Sequence, residues 1–141
     1  MKRPLTLALI LLPTPLCAQP ETYGVTPGYW EVESSLLGLT STERDCIAPE
    51  RIAKAIGGPC NHHYKCTYPI QQVANGKAHF EGDIRGKGES YHVVGGGDYS
   101  ATRFDMSASL VGHWHILPLA GPLWVKAHFL AAECPAGSKK L

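Results

Sequence analysis

Five cysteines and seven histidines are the side chains of this sequence with the most chemistry open to them. Paired thiols can form disulfides, exchange electrons or hold zinc, and imidazoles can ligate transition metals or relay protons. Cys17 stands apart from the other four cysteines, inside an N-terminal segment that reads as a secretory leader. Lys2 and Arg3 give it a cationic start, Leu5 to Leu12 an apolar centre, and Leu16-Cys17-Ala18 a cleavage site before Gln19. Pro4, Pro13 and Pro15 keep the apolar run well below the roughly 20 residues that a membrane-spanning helix needs. Residues 1–18 are therefore expected to be a signal peptide, leaving a periplasmic or secreted chain with no transmembrane segment. The remaining Cys46, Cys60, Cys66 and Cys134 form an even set. In an oxidising compartment such a set pairs rather than holding zinc, and the lack of a Cys-x-x-Cys argues against thiol exchange. Four cysteines allow three connectivities. Cys46–Cys134 with Cys60–Cys66 is favoured, and Cys46–Cys60 with Cys66–Cys134 stands close behind it.

Among the histidines, His113 and His115 flank Trp114. In an extended stretch both imidazoles would point to one face, a geometry that suits a divalent transition metal. They are the candidate metal ligands, although tight sites want a third donor, and His79, His92 and His128 are only loosely placed to give one. His62 and His63 are adjacent and would diverge on a strand. No cofactor is implied by the sequence.

Catalytic patterns are thin. Gly88-Glu89-Ser90-Tyr91-His92 begins like a nucleophile elbow but carries His92 where the last glycine belongs, and no strand-turn-helix pattern surrounds it. The run Gly95-Gly96-Gly97 precedes no helix start, so it does not read as a phosphate cradle. The carboxylate pairs Glu81/Asp83 and Glu31/Glu33 fall on the wet faces of expected strands. A non-enzymatic protein is the expectation.

The elements that must position these groups are mostly strands. Trp30, Val32 and Leu36 alternate with Tyr29, Glu31, Glu33 and Ser35, as in a half-buried strand after the Pro27-Gly28 turn. Ala78, Phe80 and Ile84 alternate with charged neighbours over 77–85, and Asn75-Gly76 just before them marks a tight hairpin with residues 67–74. Residues 103–110 alternate again, with Phe104, Met106, Ala108 and Leu110 on one face. Shorter strands are expected over 90–94 and 123–132, separated by breaks at 95–98 and 118–122. Pro49, Glu50, Ile52 and Ile56 before Gly57-Gly58 read as one two-turn helix.

The fold class that follows is mainly β: a single antiparallel sheet, curved or forming a partly open barrel or sandwich, with one short helix and disulfide staples. It would span residues 19–135, with a flexible tail at 136–141. Loss of the leader leaves 123 residues with 11 basic and 12 acidic side chains, shifting the formal charge from +1 to −1. That balance does not invite nucleic acid.

Pro27-Gly28-Tyr29-Trp30-Glu31, then Cys46-Ile47-Ala48-Pro49-Glu50 leading into a short helix, further cysteines in mid-chain and Cys134 near the end together resemble the bacterial family called domain of unknown function 3617. The resemblance implies a small exported protein, periplasmic in Gram-negative bacteria, whose cysteines pair. It brings no activity with it. Cys60 and Cys66 are closer together than the family pattern suggests, and Ala131-Ala132-Glu133 replaces a glycine-containing approach to the last cysteine.

Function is sought in the apolar C-terminal stretch, where Trp114, Ile116, Leu117, Leu119, Leu123 and Trp124 are interrupted by Pro118, Gly121 and Pro122. Such a stretch either closes the core or lines a groove for a lipid or another apolar molecule. The leading expectation is non-catalytic binding of an apolar ligand or envelope component, with Trp30, Phe104, Trp114 and Trp124 as the ligand-binding candidates. The alternatives are an envelope interaction or structural protein without a small ligand, and a weak transition-metal binder.

Overall fold

The computed structural model describes residues 22–138; the expected signal peptide and the last three residues of the expected tail lie outside them. Seven strands form one antiparallel sheet that does not close: β1 (Gly28–Leu36), β2 (Leu39–Ile47), β3 (Lys65–Ala74), β4 (Lys77–Gly86), β5 (Glu89–Ser100), β6 (Arg103–Trp114) and β7 (Leu117–Ala131). Their order across the sheet is β2-β1-β7-β6-β5-β4-β3. The single helix, α1 (Pro49–Gly57), connects β2 at one edge to β3 at the other and so must cross a face of the sheet. That face is called inner below.

Helix α1 forms where the sequence places it. Pro49 occupies the first turn, Glu50 faces the positive end of the helix dipole, and Ile52 and Ile56, four residues apart, are both buried. Gly58 ends the helix at φ 141°, and the Tyr68 ring lies so close that a side chain there has no room. Nine residues cannot sustain a helix on propensity alone. Packing holds it: Ile52 and Ile56 join Val25, Trp30, Ala78, Phe104, Met106 and Ala127 in one apolar cluster.

Trp30 is the centre of that cluster, with no exposed surface. Its ring meets Phe104 at 5.3 Å and Phe129 at 5.6 Å, and its indole N–H donates to the Thr26 carbonyl at 3.0 Å. A buried tryptophan needs that partner to avoid losing a hydrogen bond on folding. Further along the strands, Phe80, Tyr91, Val93 and Leu110 form a second cluster with Tyr68 and Leu119 packed against it. Val93 is fully enclosed, although α1 contributes no side chain to this cluster. On an open sheet, that enclosure requires the flanking rows to curl over it.

The curl explains an expectation that the structure overturns. Residues 95–98 are not a break but the middle of β5, paired with Phe80 to Lys77 on β4 and with Ala108 to Asp105 on β6. A side chain on Gly95 would collide with Ala108 and the Phe80 ring, so the glycines are where neighbouring strands and bulky residues come closest. Residues 118–122 are likewise inside β7, registered against β6 from Trp114↔Leu117 to Ser109↔Pro122. The Leu37 amide donates to the Pro122 carbonyl at 3.1 Å, so Pro122 turns its hydrogen-bonding edge away from β6, towards the side where β1 has ended. Prolines there forfeit no ladder bond. Strand β2 was not expected; its inner-face residues Leu39, Ser41, Glu43 and Asp45 show no apolar alternation because an edge strand is covered on one side only.

Other expectations hold in the structure. Asn75 and Gly76 form the tight hairpin turn with positive φ at both positions. Leu37 and Gly38 make the same turn between β1 and β2. Two disulfides are present, Cys46–Cys134 across a sequence separation of 88 and Cys60–Cys66 across 6. The first ties the end of β2 to the segment after β7, and the second closes the loop through which the chain leaves α1 for β3. Within the expected tail, Ser138 turns back onto the Pro135 carbonyl through both its amide and its hydroxyl.

Loop-closure entropy makes the two bridges unequal, about 4–5 kcal/mol for the long one and about 2 kcal/mol for the short one. Replacing Cys46 and Cys134 by serine should therefore lower the denaturation midpoint in urea clearly more than replacing Cys60 and Cys66. Equal losses, or a greater loss from the short loop, would show that the helix crossing does not depend on its long-range anchor.

Candidate functional site

The structure separates the four aromatic residues singled out as ligand contacts. Trp30 and Phe104 lie in the core beneath α1 and pack against one another; Trp30 is fully enclosed, whereas Phe104 also borders the groove beside α1. Trp124 is on the outer face, registered between Ser35 of β1 and Ser107 of β6, with the Lys126 ammonium 5.6 Å from its ring. Trp114 ends β6 and is half exposed, next to the turn into β7. A shared cavity is therefore ruled out as the role of this set; the alternation that put Trp30 and Phe104 on an inner face also put them under the helix.

The histidines do not converge either. His113 lies on β6, but His115 sits in the β6–β7 turn at φ 53°, with its ring 5.2 Å from Trp114 and its amide donating to the Gly88 carbonyl at 2.6 Å. The extended backbone that would have aligned the two imidazoles is interrupted at this turn. His62 and His63 are in a turn rather than a strand, and their rings stack at 3.7 Å. Among the described residues, no group of three or more His, Cys, Asp or Glu side chains is arranged to hold a metal. Cys46, Cys60, Cys66 and Cys134 are all in disulfides.

Ser90 and His92 share one face of β5, yet His92 is committed elsewhere. Its Nδ1 lies 3.0 Å from Asp83 and its Nε2 3.3 Å from Glu81, both on the neighbouring strand β4. The hydrogen bond to Asp83 raises the His92 pKa above its ordinary value, with a smaller opposing effect of desolvation and further support from the charges of Asp83 and Glu81. Both ring nitrogens face carboxylates, which leaves no base for Ser90. The outer face as a whole is a lattice of such cross-strand charges: Arg44 Nε bonds Glu31 at 2.7 Å, and Lys77 Nζ bonds Asp98 at 2.6 Å. The Arg44 bond holds the Glu31 carboxyl below its usual range. A depression of about 550 Å³ lies here, lined by Glu31, Glu33, Arg103, Lys126 and His128. Its charges alternate in sign, and it has no apolar floor.

The inner face offers a different surface. A groove of about 210 Å³ runs between α1 and the β2-β1-β7 side of the sheet, lined by Val32, Ile47, Ala55, Phe104 and Val125 with Glu43, Asp45 and Arg51 as polar residues. Successive residues on one face of a strand are two apart. The same face therefore continues past Val32 through Ser34 to Leu36 on β1, and past Val125 through Leu123, Gly121 and Leu119 to Leu117 on β7; Leu123 and Leu119 pack partly against the second cluster, and Leu37 lies against Gly121. Leu36 and Leu123 are registered partners, and Leu39 lies opposite Leu36 on β2. From Val125 to Leu117 the strip extends eight residues, roughly 26 Å at the rise of a strand. Leu36, Leu39 and Leu117 remain 52%, 81% and 55% exposed.

Leu117, Leu119 and Leu123 belong to the apolar stretch already singled out in the sequence, whereas Leu36 and Leu39 escape notice there as site residues because they flank a turn, where exposure is ordinary. The available signal was Leu36-Leu37-Gly38-Leu39 itself: a two-residue hairpin turn enclosed by leucines, where polar residues are the rule.

Tyr68 closes the far side of the helix. Its hydroxyl donates to the Pro59 carbonyl at 2.6 Å, and burial pushes its pKa up to about 12. Gln71 Nε2 donates to the Gly57 carbonyl at 2.7 Å, so the end of α1 is fastened to β3 by two side chains. Among the described residues no helix is long and apolar enough to cross a membrane.

The family model described as a protein of unknown function (DUF3617) matches residues 25–115, from just before β1 to the β6–β7 turn. No curated protein and no solved structure matches the chain.

The His92 arrangement fixes a sign of pH dependence. Because its folded pKa is raised, the stability it contributes is fully present below the unfolded pKa of about 6.5 and is lost as pH rises through the folded value. The stability advantage of the native protein over His92→Gln, measured by urea denaturation, should be larger at pH 5.5 than at pH 8.5. A difference that stays constant or grows with pH would contradict the paired geometry.

Proposed function

The chain belongs to the DUF3617 family, and from that premise we propose that it is a non-catalytic binding protein of the cell envelope that takes the apolar chain of a lipid-like molecule along its inner face. The observation that carries this reading is the row of leucines on the inner face beyond the groove beside α1, of which Leu36, Leu39 and Leu117 are half or more exposed while Leu119 and Leu123 pack partly against the second cluster. Clustered exposed apolar side chains of this kind mark a place where something binds. The groove is lined by both polar side chains, Ser34, Glu43, Asp45 and Arg51, and apolar ones, Val32, Ile47, Ala55, Phe104 and Val125. An amphipathic ligand suits that mixture. The position and number of the strip residues suit an extended hydrocarbon chain better than a compact one.

The disulfides support the envelope setting. Two disulfides persist in oxidising compartments and are rare in reducing ones, and the leader-like residues 1–18 agree with that.

A second reading rests on the β2 edge. Strand β2 is paired with β1 alone, so its other edge presents unpaired amides and carbonyls to a strand from a protein partner. In that case the protein would act in the envelope without a small ligand.

Titration of the purified protein with a fluorescent long-chain fatty acid should give saturable binding. The Leu36→Asp/Leu123→Asp variant should bind at least about tenfold more weakly, the loss expected when a leucine-sized apolar contact becomes charged. Native mass spectrometry of the same samples should show one bound chain per protein. Absence of saturable binding by the native protein would eliminate the ligand reading and leave the β2 edge as the surface to pursue.

A further inference from the structure

The β6–β7 hairpin projects beyond its neighbour. Strand β1 ends at Leu36, opposite Leu123, whereas β7 begins six residues earlier at Leu117, opposite Trp114. The turn at its tip is His115-Ile116. Three large apolar residues stand there in water: Ile116 is 94% exposed, Leu117 and Trp114 about half. A two-residue turn between strands normally carries Asn, Asp or Gly. Here an isoleucine occupies it, flanked by tryptophan and leucine. No core explains the choice, since none of the three belongs to either buried cluster.

The charges around the tip have one sign. On the outer face, the row below the tip runs Lys65↔Arg85↔Ser90↔His113↔Pro118 through the register of β3, β4, β5, β6 and β7. Lys87 sits in the neighbouring β4–β5 turn, which the His115 amide joins to the tip through Gly88. Lys65 and Arg85 are direct cross-strand partners, and no ion pair to either, or to Lys87, occurs among the described residues. Like charges placed directly opposite destabilise a sheet unless an anion comes between them. The one carboxylate in the row next to the tip, Glu89, already accepts from the Tyr64 hydroxyl at 2.8 Å and the Tyr91 hydroxyl at 3.2 Å. Asp83, one row lower, is engaged by His92. Lys65, Arg85 and Lys87 thus face a single carboxylate at this end, while the other described residues carry six cations and ten carboxylates. The molecule is electrically polar, with its positive end at its most apolar protrusion.

We infer that the β6–β7 hairpin tip docks this protein on an anionic membrane surface. Ile116, Leu117 and Trp114 enter the boundary between headgroups and acyl chains, the tryptophan at the level where its amphipathic ring is favoured. Lys65, Arg85 and Lys87 meet the lipid phosphates. The depth fits: the cationic row lies one or two residues below the tip, about 3–7 Å along a strand, and interfacial apolar groups bury about 5–10 Å. Strand β7 carries both the tip and the leucine strip, so docking sets the open end of the strip against the bilayer. Docking itself does not require that the strip hold a ligand.

The test is sedimentation of the purified protein with vesicles of phosphatidylcholine alone or mixed with phosphatidylglycerol, at low and high salt. The expected result is binding to the anionic vesicles that weakens with salt, and little binding to neutral ones. Ile116→Asp/Leu117→Asp should reduce binding about tenfold or more. Lys65→Glu/Arg85→Glu should do the same, since each cation near an anionic surface is worth about fivefold. All four residues are outside the buried clusters, and an unchanged near-ultraviolet circular dichroism spectrum identifies variants that have kept the fold. Leu36→Asp/Leu123→Asp should bind vesicles as the native protein does, which separates docking from ligand binding. No association with anionic vesicles, or native-like association of folded tip variants, overturns the proposal; equal binding to neutral and anionic vesicles overturns the role of the cations.

Discussion

Strands β2 and β3 follow one another in the chain yet lie at opposite edges of the sheet, and residues 48–64 must bridge them. On a flat sheet the crossing would be long. Six strand spacings of about 4.8 Å separate the edges, and the register places Ile47 and Lys65 about a dozen residues apart along the strands, roughly 50 Å corner to corner. Nine helical residues and eight extended ones reach only about 40 Å. The sheet therefore has to coil until its corners approach. Much else in the molecule is a consequence of that shortage of chain.

Coiling brings side chains on the inner face into conflict unless some are small. Gly95 and Gly97 on β5 give way where Phe80, Ala108 and Met106 crowd in, and their absence of side chains is what encloses Val93 without a covering helix. The short helix then needs to cover only the remaining half of the face. Trp30, wedged between Phe104 and Phe129, supplies a platform large enough for Ile52 and Ile56 to bury themselves. A disulfide fixes the crossing just before the helix and another just after it, so the bridge is pinned at both ends. Leu36 on β1 and Leu117 on β7 remain exposed on the part of the inner face that a nine-residue helix does not reach.

Much of this framework was legible in the sequence. Period-two alternation marked β1, β4 and β6, the Asn75-Gly76 turn marked the β3–β4 hairpin, and Pro49 to Gly58 marked the helix with its buried isoleucines. Three features were not, each for a physical reason. Strand β2 carries Ser41, Glu43 and Asp45 on its inner face, because only its inner neighbour and part of α1 lie against it. The glycines of β5 and the prolines of β7 carry the composition of loops. One set is demanded by coiling and the other is tolerated because the adjacent strand has ended. The four aromatic residues do not come together as a group, since sequence reports apolarity and not which face a helix will cover. The leucine strip becomes visible only once register places Leu36 beside Leu123.

The position of β7 has a bearing on how the molecule assembles. It comes last among the seven described strands and is the one that joins the β1–β2 hairpin to the β3–β6 meander. Until it arrives, each part can form local hairpins, but Trp30 has neither Ala127 nor Phe129 to pack against. Cys46 likewise has no partner, because Cys134 follows β7. Completion of the core and of the long disulfide is thus a long-range event that waits for β7 and Cys134, and such closure is slow compared with hairpin formation. A chain built this way cannot enclose Trp30 from its first six strands, so its two hairpin-rich parts remain separate until a single strand unites them.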